Sequence, residues 1–310
     1  MSADVSPKLN LAALERYCLE QSKRLKDAGF VILDHTIASP QKSKVEVDGI
    51  KDSINFTSND YNALASAPMM IECAKKTLEE RGYGMASAPL MCGQQDIHRL
   101  LEKELAEFHG TDKAVLYPSG YQANLGFFAT MFGPDDVIIS DQFNHASIID
   151  GIKLCKASKR VFKHMNYKHL EKILKETQDF GKRCVVTEGV FSMDADIIDL
   201  KTVVKLCKKY NAVLFLDDCH GVGIIGKTGR GTPEHCGVPM SDIDAYIATM
   251  GKGLSGGGGG YITGSHGVIT WLKQRSRTYI FSNAICPPII NCARLAIKYL
   301  SENPQLFVKR

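Results

Sequence analysis

Two short stretches of this 310-residue chain hold side chains that could do chemistry together. Asp217 and His220 follow the apolar run 213–216, and Lys252 follows a second apolar run and lies between two glycines. A lysine amine can form a Schiff base with an aldehyde or a ketone, and a buried carboxylate requires a partner such as a protonated pyridine nitrogen. Pyridoxal phosphate contains both an aldehyde and such a nitrogen, so it is one ligand that could engage both stretches.

Each of these residues also has a simpler interpretation. Lys252 could bind a phosphate or lie exposed, Asp217 could form a salt bridge or cap a helix, and His220 could be an ordinary loop histidine. The glycine run 256–260 follows Lys252, whereas the lysine follows the glycines in the phosphate-binding loop of nucleoside triphosphatases. The run also does not open a helix after a first strand, as in dinucleotide-binding folds. The glycine run therefore disfavours both of these protein classes.

His145 and Ser119 are further candidates, because each stands between an apolar strand and a helix. The imidazole of His145 could stack on an aromatic ring or act on a substrate proton, although it could equally well only begin a helix. Ser119, Gly120 and Tyr121 begin a helix whose free N–H groups would suit a phosphate, although Ser119 could be a simple N-cap.

Short apolar strands alternate with amphipathic helices from residue 114 to residue 275, and these elements would position the candidates. Such strands are buried on both faces, so the pattern predicts an α/β fold, a three-layer sandwich with a mostly parallel sheet between two layers of helices. Ligands of these folds bind at the carboxyl ends of the strands. We therefore expect five side chains at one rim of the sheet: Ser119, His145, Glu188, Asp217 and Lys252.

The patterns outside these strands are weaker. Residues 11–28 predict an amphipathic helix, residues 30–33 a strand, and residues 36–54 a polar and irregular segment. We also expect a helix that Asp96 caps and a helix over residues 170–180. Residues 260–263 are expected to form a hairpin-like partner of the strand 245–249.

Composition and charge narrow the class of protein. The chain is 44% hydrophobic and 23% charged, as in soluble globular proteins, and its net charge of +4 is spread out rather than concentrated as in nucleic-acid-binding proteins. None of the ten cysteines forms a C-x-x-C pair, so we expect reduced cysteines and no metal site. No apolar stretch approaches the ~18 residues of a membrane span. We expect a cytoplasmic protein, with the mitochondrial matrix as the alternative.

Taken in order, the motifs resemble the α-oxoamine synthase family of pyridoxal phosphate enzymes, within the aminotransferases of fold type I. The resemblance covers about residues 55–283 and rests on Asn59-Asp60-Tyr61, Ser119-Gly120-Tyr121, Ser140 to Gly151, Glu188 to Asp194, Asp217 to Gly223, Gly229-Arg230-Gly231 and Thr249 to Lys252. It implies the fold of type I enzymes and pyridoxal phosphate as the cofactor.

The resemblance also implies a role for each site residue. Lys252 would hold the cofactor through its amine and move a proton at the substrate α-carbon, Asp217 would pair with the ring nitrogen, and His145 would stack on the ring and touch the substrate. Contacts on the ring-oxygen side would come from Ser192 and His220. Phosphate contacts would come from Gly120, Tyr121 and Thr249. The phosphate of the partner subunit in a dimer would be reached by Ser282 and Asn283.

Within this family, residues 84–87, 91–93 and 271–277 are most similar to the branch that acts on glycine and acetyl-CoA. The resemblance implies that a homodimer with shared sites joins glycine and acetyl-CoA to 2-amino-3-oxobutanoate, or cleaves this compound with CoA, in threonine and glycine metabolism. The alternatives are another α-oxoamine synthase, such as one that makes 8-amino-7-oxononanoate, and a truncated relative without catalytic activity.

We expect three parts along the chain. These are an N-terminal helix and arm over residues 1–54, a large cofactor-binding domain over residues 55–286, and a linker helix over residues 287–310. The resemblance implies that a small C-terminal domain follows such a linker, and we expect that domain to be missing from this chain.

Overall fold

The computed structural model describes residues 11–30 and 32–308. It divides into two compact units, Met1–Asn55 and Phe56–Arg310. The division into three parts with a boundary at residue 287 stays a prediction. No helix within the described residues is long and apolar enough to cross a membrane.

The described part of the first unit contains a helix, α1 (Leu11–Asp27), and a hairpin of β1 (Lys44–Val47) and β2 (Ile50–Ile54). The predicted helix over residues 11–28 is confirmed. The prediction of an irregular segment over residues 36–54 is wrong. Asp48 and Gly49 both adopt positive φ angles, and the tight turn that they form lets β1 and β2 pair antiparallel.

The predicted strand over residues 30–33 is also wrong for the three residues of it that the structure describes. Phe30, Ile32 and Leu33 lie outside any strand, and they are 74%, 97% and 69% exposed. Their apolar side chains suggested a buried strand, but no sheet of the first unit covers them in the described residues.

The second unit alternates strands and helices, as predicted. Its strands are β3 (Lys113–Tyr117), β4 (Val137–Asp141), β5 (Ser158–Phe162), β6 (Arg183–Glu188), β7 (Val213–Asp217), β8 (Ala245–Thr249) and β9 (Gly260–Gly264). Its α-helices are α2 (Pro68–Arg81), α3 (Pro89–Cys92), α4 (Asp96–His109), α5 (Gly120–Met131), α6 (Ala146–Leu154), α7 (Tyr167–Glu176), α8 (Leu200–Tyr210), α9 (Thr232–Cys236), α10 (His266–Arg275), α11 (Arg277–Ile280), α12 (Pro287–Glu302) and α13 (Gln305–Val308).

The strands of the second unit form one sheet in the order β3-β9-β8-β7-β6-β4-β5. The pairs from β8 to β5 are parallel, and β9 runs antiparallel to both of its neighbours. The mostly parallel sheet is therefore confirmed. The hairpin-like pairing is confirmed too, because Thr249 at the end of β8 lies opposite Gly260 at the start of β9.

Side chains of each strand alternate between two apolar cores, one on either face of the sheet. In β3, Ala114 and Leu116 join a core with residues of α4, α8 and α12, whereas Val115 and Tyr117 join a core with residues of α5, α6 and α10. All five residues of β8 are buried. The three-layer α/β architecture predicted from the continuous apolar strands is confirmed.

Two helices differ from the prediction in their bounds, α4 at its start and α7 at both ends, since α7 ends at Glu176 rather than at residue 180. Asp96 is the first residue of α4 rather than its cap, and its carboxylate pairs with the guanidinium of Arg81 at 2.8 Å. Helix α7 begins at Tyr167 rather than at Leu170, because the side chain of Asn166 accepts a hydrogen bond from the His169 N–H at 2.9 Å and caps it.

Candidate active site

The carboxyl ends of four parallel strands bring predicted site residues to one rim of the sheet. His145 follows β4, Glu188 ends β6, Asp217 ends β7, and Lys252 follows β8. Glu188 and Asp217 lie directly opposite each other in the register of β6 and β7. The rim therefore combines two buried carboxyl groups with a lysine and a histidine.

The Lys252 amine lies at one end of a chain of hydrogen bonds. Its Nζ is 2.7 Å from Nε2 of His220, and Nδ1 of that ring is 2.9 Å from the Tyr61 hydroxyl. The hydroxyl in turn donates to Oδ1 of Asn59 at 3.0 Å. Because the Tyr61 proton is used there, its oxygen is free to accept from Nδ1–H, which leaves Nε2 to accept from the Lys252 ammonium.

The pKa of His220 agrees with this direction of the hydrogen bond between Lys252 and the ring. Burial, and then the positive charge of Lys252, lowers the pKa of His220 to about 4, so the ring is neutral near pH 7. A neutral ring with its proton on Nδ1 accepts through Nε2. His220 therefore orients the Lys252 amine and does not compete with it as a cation.

Hydrogen bonds also hold the backbone around Lys252 in place. The residue lies in a short helical turn, Met250–Leu254, but leaves the helical region with φ −129° and ψ −128°. The Asn62 side-chain amide donates to the Gly253 carbonyl at 2.5 Å and to the Gly223 carbonyl at 2.6 Å. This amide ties the loop after His220 to the residue after Lys252.

Asp217 is a buried carboxylate held by neutral donors. It is 4% exposed, and its oxygens accept hydrogen bonds from the Asn124 amide at 2.8 Å and from the Cys219 N–H at 3.0 Å. Within residues 11–30 and 32–308, no lysine, arginine or histidine forms a described ion pair with it. A buried carboxylate without a cationic partner is costly, so the position suits a ligand that brings a positive charge.

A second chain of hydrogen bonds connects Asp217 with His145. The Asn124 amide also donates to the Ser147 hydroxyl at 2.9 Å, and that hydroxyl lies 2.7 Å from Nδ1 of His145. Nδ1 accepts from the Ser147 N–H as well, at 3.2 Å, which makes His145 the N-cap of α6. The Nε2 side of this exposed ring is therefore free to face a ligand.

Glu188 is 2% exposed and accepts a hydrogen bond from the His145 N–H at 2.5 Å. Burial, and then the negative charge of Asp217, raises the pKa of Glu188 to about 8. Near pH 7 this group is therefore largely protonated, and it adds little negative charge beside Asp217.

The raised pKa of Glu188 predicts a stability that falls as the pH rises. Between the ordinary value of 4.5 and about 8, the folded chain holds a proton that the unfolded chain has lost, so the folded state is favoured less as the pH increases. The unfolding free energy of the native chain should decrease between pH 5 and pH 8. We expect this decrease to be ~1–3 kcal/mol smaller in Glu188→Gln. Urea unfolding at the two pH values measures this difference.

The control for this measurement is Glu176→Gln, which neutralises an exposed carboxylate at the end of α7. It should leave the pH dependence as it is in the native sequence. If Glu188→Gln and the native sequence lost the same stability over this pH range, Glu188 would be ionised throughout, and the proposed protonation state would be wrong.

The start of α5 provides free N–H groups beside the rim. Ser119 is its N-cap and accepts from the Gln122 N–H at 3.1 Å. A Cβ at Gly120 would lie 3.6 Å from Cβ of Thr249, and a Cβ at Gly260 would lie 2.4 Å from the Gly120 nitrogen. Glycine at position 260 is therefore required for β9 to approach this helix end, which is suited to a phosphate.

The other predicted contacts lie further from these groups. Tyr121 is 42% exposed and its hydroxyl donates to Asp150. Ser192 is exposed in the loop after β6, and Ser282, half-buried, accepts from the Gln122 amide at 3.4 Å. Asn283 is exposed. The roles of these four residues, like those of the other predicted site residues, stay predictions.

Comparison with known proteins places this geometry in a family. The sequence profile described as "Aminotransferase class I and II" matches residues 51–308, most of the chain. The chain belongs to the aminotransferase class I and II family. The residues that meet at the rim lie inside the matched range.

Curated relatives within this aminotransferase family are similar over most of the chain. The mitochondrial 2-amino-3-ketobutyrate coenzyme A ligase of Mus musculus is 43% identical over 94% of this chain and 70% of its own length. An 8-amino-7-oxononanoate synthase of Fervidobacterium nodosum is 40% identical over 92% of this chain and 73% of its own length. The chain thus spans about 70% of the length of such relatives.

Solved structures agree with the fold. A serine palmitoyltransferase from S. paucimobilis, whose structure holds a PLP–myriocin aldimine, superposes with a TM-score of 0.86. It is 29% identical, and the match covers 94% of this chain and 75% of that chain. The resemblance to the α-oxoamine synthases and the type I fold predicted from the motifs are both confirmed.

The cofactor of this family, pyridoxal phosphate (PLP), fits the residues at the rim. The buried Asp217 carboxylate, held by neutral donors only, suits a pyridinium. The Lys252 amine is within reach of the same rim, and the start of α5 offers N–H groups to a phosphate. Lys252, Asp217 and the helix start would therefore hold the aldehyde, ring nitrogen and phosphate ends of PLP.

Four residues of the two hydrogen-bond chains had no role in the sequence prediction: Asn59, Tyr61, Asn124 and Ser147. Asn59, Tyr61 and Ser147 belong to motifs that supported the resemblance, but nothing in the spacing of the four residues told which strand end they would reach. Tyr61 lies 159 positions before His220 in the chain, and only the fold brings the two together. The signal available in the sequence was that these residues are polar and lie in motifs or next to site residues.

Proposed function

We propose that this chain transfers an acetyl group between CoA and glycine, forming or cleaving 2-amino-3-oxobutanoate. The observation that carries the proposal is the presence at one rim of both the Lys252 amine and a buried Asp217 carboxylate that has only neutral donors. The curated relative named for 2-amino-3-ketobutyrate and coenzyme A supports this choice of substrates. The compartment stays a prediction.

PLP supplies an electron sink that stabilises a carbanion next to the substrate nitrogen. Asp217 would keep a proton on the ring nitrogen, and Asn124 and the Cys219 N–H hold the Asp217 carboxylate in place. Lys252 would hold the cofactor and would remove or return the proton at the substrate α-carbon, while His220 orients its amine. His145 would present Nε2 to the substrate, because Ser147 occupies Nδ1.

We further propose that the active form is a homodimer with shared sites. Ser282 is half-buried beside α5 and Asn283 is exposed, so both side chains are available to a ligand that approaches from outside the chain. Size-exclusion chromatography coupled to light scattering measures the mass of the assembly in solution. A mass of twice 34.1 kDa is expected, and a monomer with full activity would contradict shared sites.

A thiol-release assay tests the reaction directly. We expect the purified chain to release CoA thiol from acetyl-CoA only when glycine is present, because the carbon–carbon bond forms at the glycine α-carbon. Release should saturate with both substrates, with a kcat on the order of 1–10³ s⁻¹ as for typical enzymes. Longer acyl-CoA thioesters serve as the comparison.

The outcomes of this assay separate the candidate functions. Preference for acetyl-CoA supports the proposal, whereas preference for a longer acyl chain would indicate another α-oxoamine synthase. No glycine-dependent release by a chain that binds PLP would indicate a relative without catalytic activity.

A further inference from the structure

His164, which follows β5, lies between two carboxylates from different parts of the chain. Its Nδ1 is 2.9 Å from Oδ1 of Asp141, the last residue of β4, and its Nε2 is 3.3 Å from Oδ2 of Asp196. The side chain of His164 is 14% exposed, and that of Asp141 is fully buried. A neutral imidazole carries one N–H and can donate to only one carboxylate, so only the imidazolium satisfies both contacts.

The His164 ring also packs between two aromatic side chains. It stacks on Phe143, with ring centroids 4.5 Å apart and planes 23° apart. It meets Phe191 edge-on, at 4.4 Å and 84°. Phe143 belongs to the loop 142–145, which carries His145, and Phe191 begins the turn 191–196, which carries Ser192.

Hydrogen bonds hold each of these two segments in place. Asp141 also accepts from the Phe143 N–H at 2.9 Å and from the Met165 N–H at 3.1 Å, which joins the 142–145 loop to the end of β5. The 191–196 turn is closed by the Phe191 N–H, which donates to the Asp196 carbonyl at 3.0 Å. His164 bridges these two segments through a charge and two ring contacts.

We propose that His164 is a positioning residue: as an imidazolium between Asp141 and Asp196, it holds the 191–196 turn against the loop that carries His145. This inference deepens the proposed function and rests on it for its activity readout only. Ser192 is predicted to contact the ring-oxygen side of the cofactor, and His145 to stack on the ring and touch the substrate. The proposed contact makes the positions of both residues depend on the protonation of His164. Loss of the proton releases one of the two carboxylates and loosens the turn.

The electrostatic surroundings set the direction of the pH effect. Burial lowers the pKa of His164, but the hydrogen bonds and negative charges of Asp141 and then of Asp196 outweigh it and raise the pKa above its ordinary value of 6.5. The charged and titratable groups around the ring and its neighbours are Asp141 from β4, Asp196 from the 191–196 turn, Tyr167 and His169 from α7, and Glu188 from β6. The bridge is thus present below pH 6.5 and is lost as the pH rises through the raised pKa.

Hydrogen–deuterium exchange of the PLP-loaded full chain tests the bridge without relying on activity. Relative to intrinsic rates, we expect residues 189–197 to exchange slowly at pH 6 and severalfold faster at pH 9, because the folded state loses the bridging proton as the pH rises. His164→Gln should exchange fast at both pH values. His164→Arg, which keeps a permanent charge and several N–H donors, should exchange slowly at both.

Two further measurements test the inference even if a His164 variant fails to fold. In the native chain, the NMR signal of the His164 ring should titrate above pH 6.5, and this holds even if a variant fails to fold. The control His266→Gln, which changes an exposed histidine at the start of α10, should exchange like the native chain. A ring that is neutral at pH 6.5, or a His164→Gln chain as protected as the native one, overturns the inference.

The activity readout separates this inference from the proposed function. We expect His164→Gln to lower kcat for glycine-dependent thiol release severalfold with little change in KM for acetyl-CoA, and His164→Arg to recover it. An unchanged kcat in a variant whose turn has loosened overturns the positioning role. If the native chain releases no thiol at any pH, the proposed function fails, and the exchange data decide the bridge alone.

Discussion

Lys252→Ala is expected to remove the visible absorption band of covalently held PLP and to lower glycine-dependent thiol release by at least ~10³-fold. The amine is the group at this rim that can both bind an aldehyde and move a proton, and His220 orients it at 2.7 Å. The neutral His220 ring has no amine, so it cannot bind the aldehyde in place of Lys252. Absorption spectra and thiol-release rates of the purified variant measure the two effects.

The matched control is Lys227→Ala, which removes an exposed lysine from a loop of the same unit. It should keep both the band and the rate. If Lys252→Ala kept the band, or if Lys227→Ala lost it, a different lysine would hold the cofactor and the assignment of the site would be wrong.

Asp217→Asn is expected to have opposite effects on the loaded and the cofactor-free chain. Removing one partner of a buried charge pair costs ~3–5 kcal/mol, which corresponds to a loss of about 10²–10⁴-fold in kcat or in cofactor affinity. In the cofactor-free chain the carboxylate has only neutral donors, so a neutral amide there should leave the unfolding free energy unchanged or raise it by about 1 kcal/mol.

Urea unfolding and cofactor titration of the same variant distinguish this role from a structural one. A salt-bridged or helix-capping aspartate would lose stability when it is neutralised, with or without PLP. Asp179→Asn, which neutralises an exposed acid after α7, serves as the control and should change neither quantity. A large loss of cofactor-free stability in Asp217→Asn would contradict a carboxylate reserved for the ring nitrogen.

The layered fold could be predicted because the strands carry its signal themselves. Continuous apolar runs such as β8, where every residue is buried, are typical of strands covered on both faces, and short polar loops separate them from amphipathic helices. The β1–β2 hairpin was missed because its strands are short: the alternation in β1 covers only four residues, and β2 is mostly exposed and carries no regular alternation of apolar residues. Its signal was the turn residue pair Asp48 and Gly49.

The site could be predicted only in part, for a physical reason. Asp217 ends one strand and Lys252 lies shortly after another, and parallel strands place their carboxyl ends at one edge, so their convergence follows from the pattern. The hydrogen-bond partners Tyr61 and Asn124 lie far away in the chain, and their contacts depend on how helices and loops pack on the sheet. The raised pKa of Glu188 depends on the same packing, because burial is its main cause.

Borohydride reduction of the PLP-loaded chain, followed by peptide mass spectrometry, tests the central claim most directly. Reduction fixes the cofactor to whichever lysine holds it. We predict the added mass of a reduced PLP group on the peptide that contains Lys252, and on no other. A modified peptide from elsewhere in the chain, or an unmodified Lys252 peptide in a chain saturated with PLP, would contradict the account.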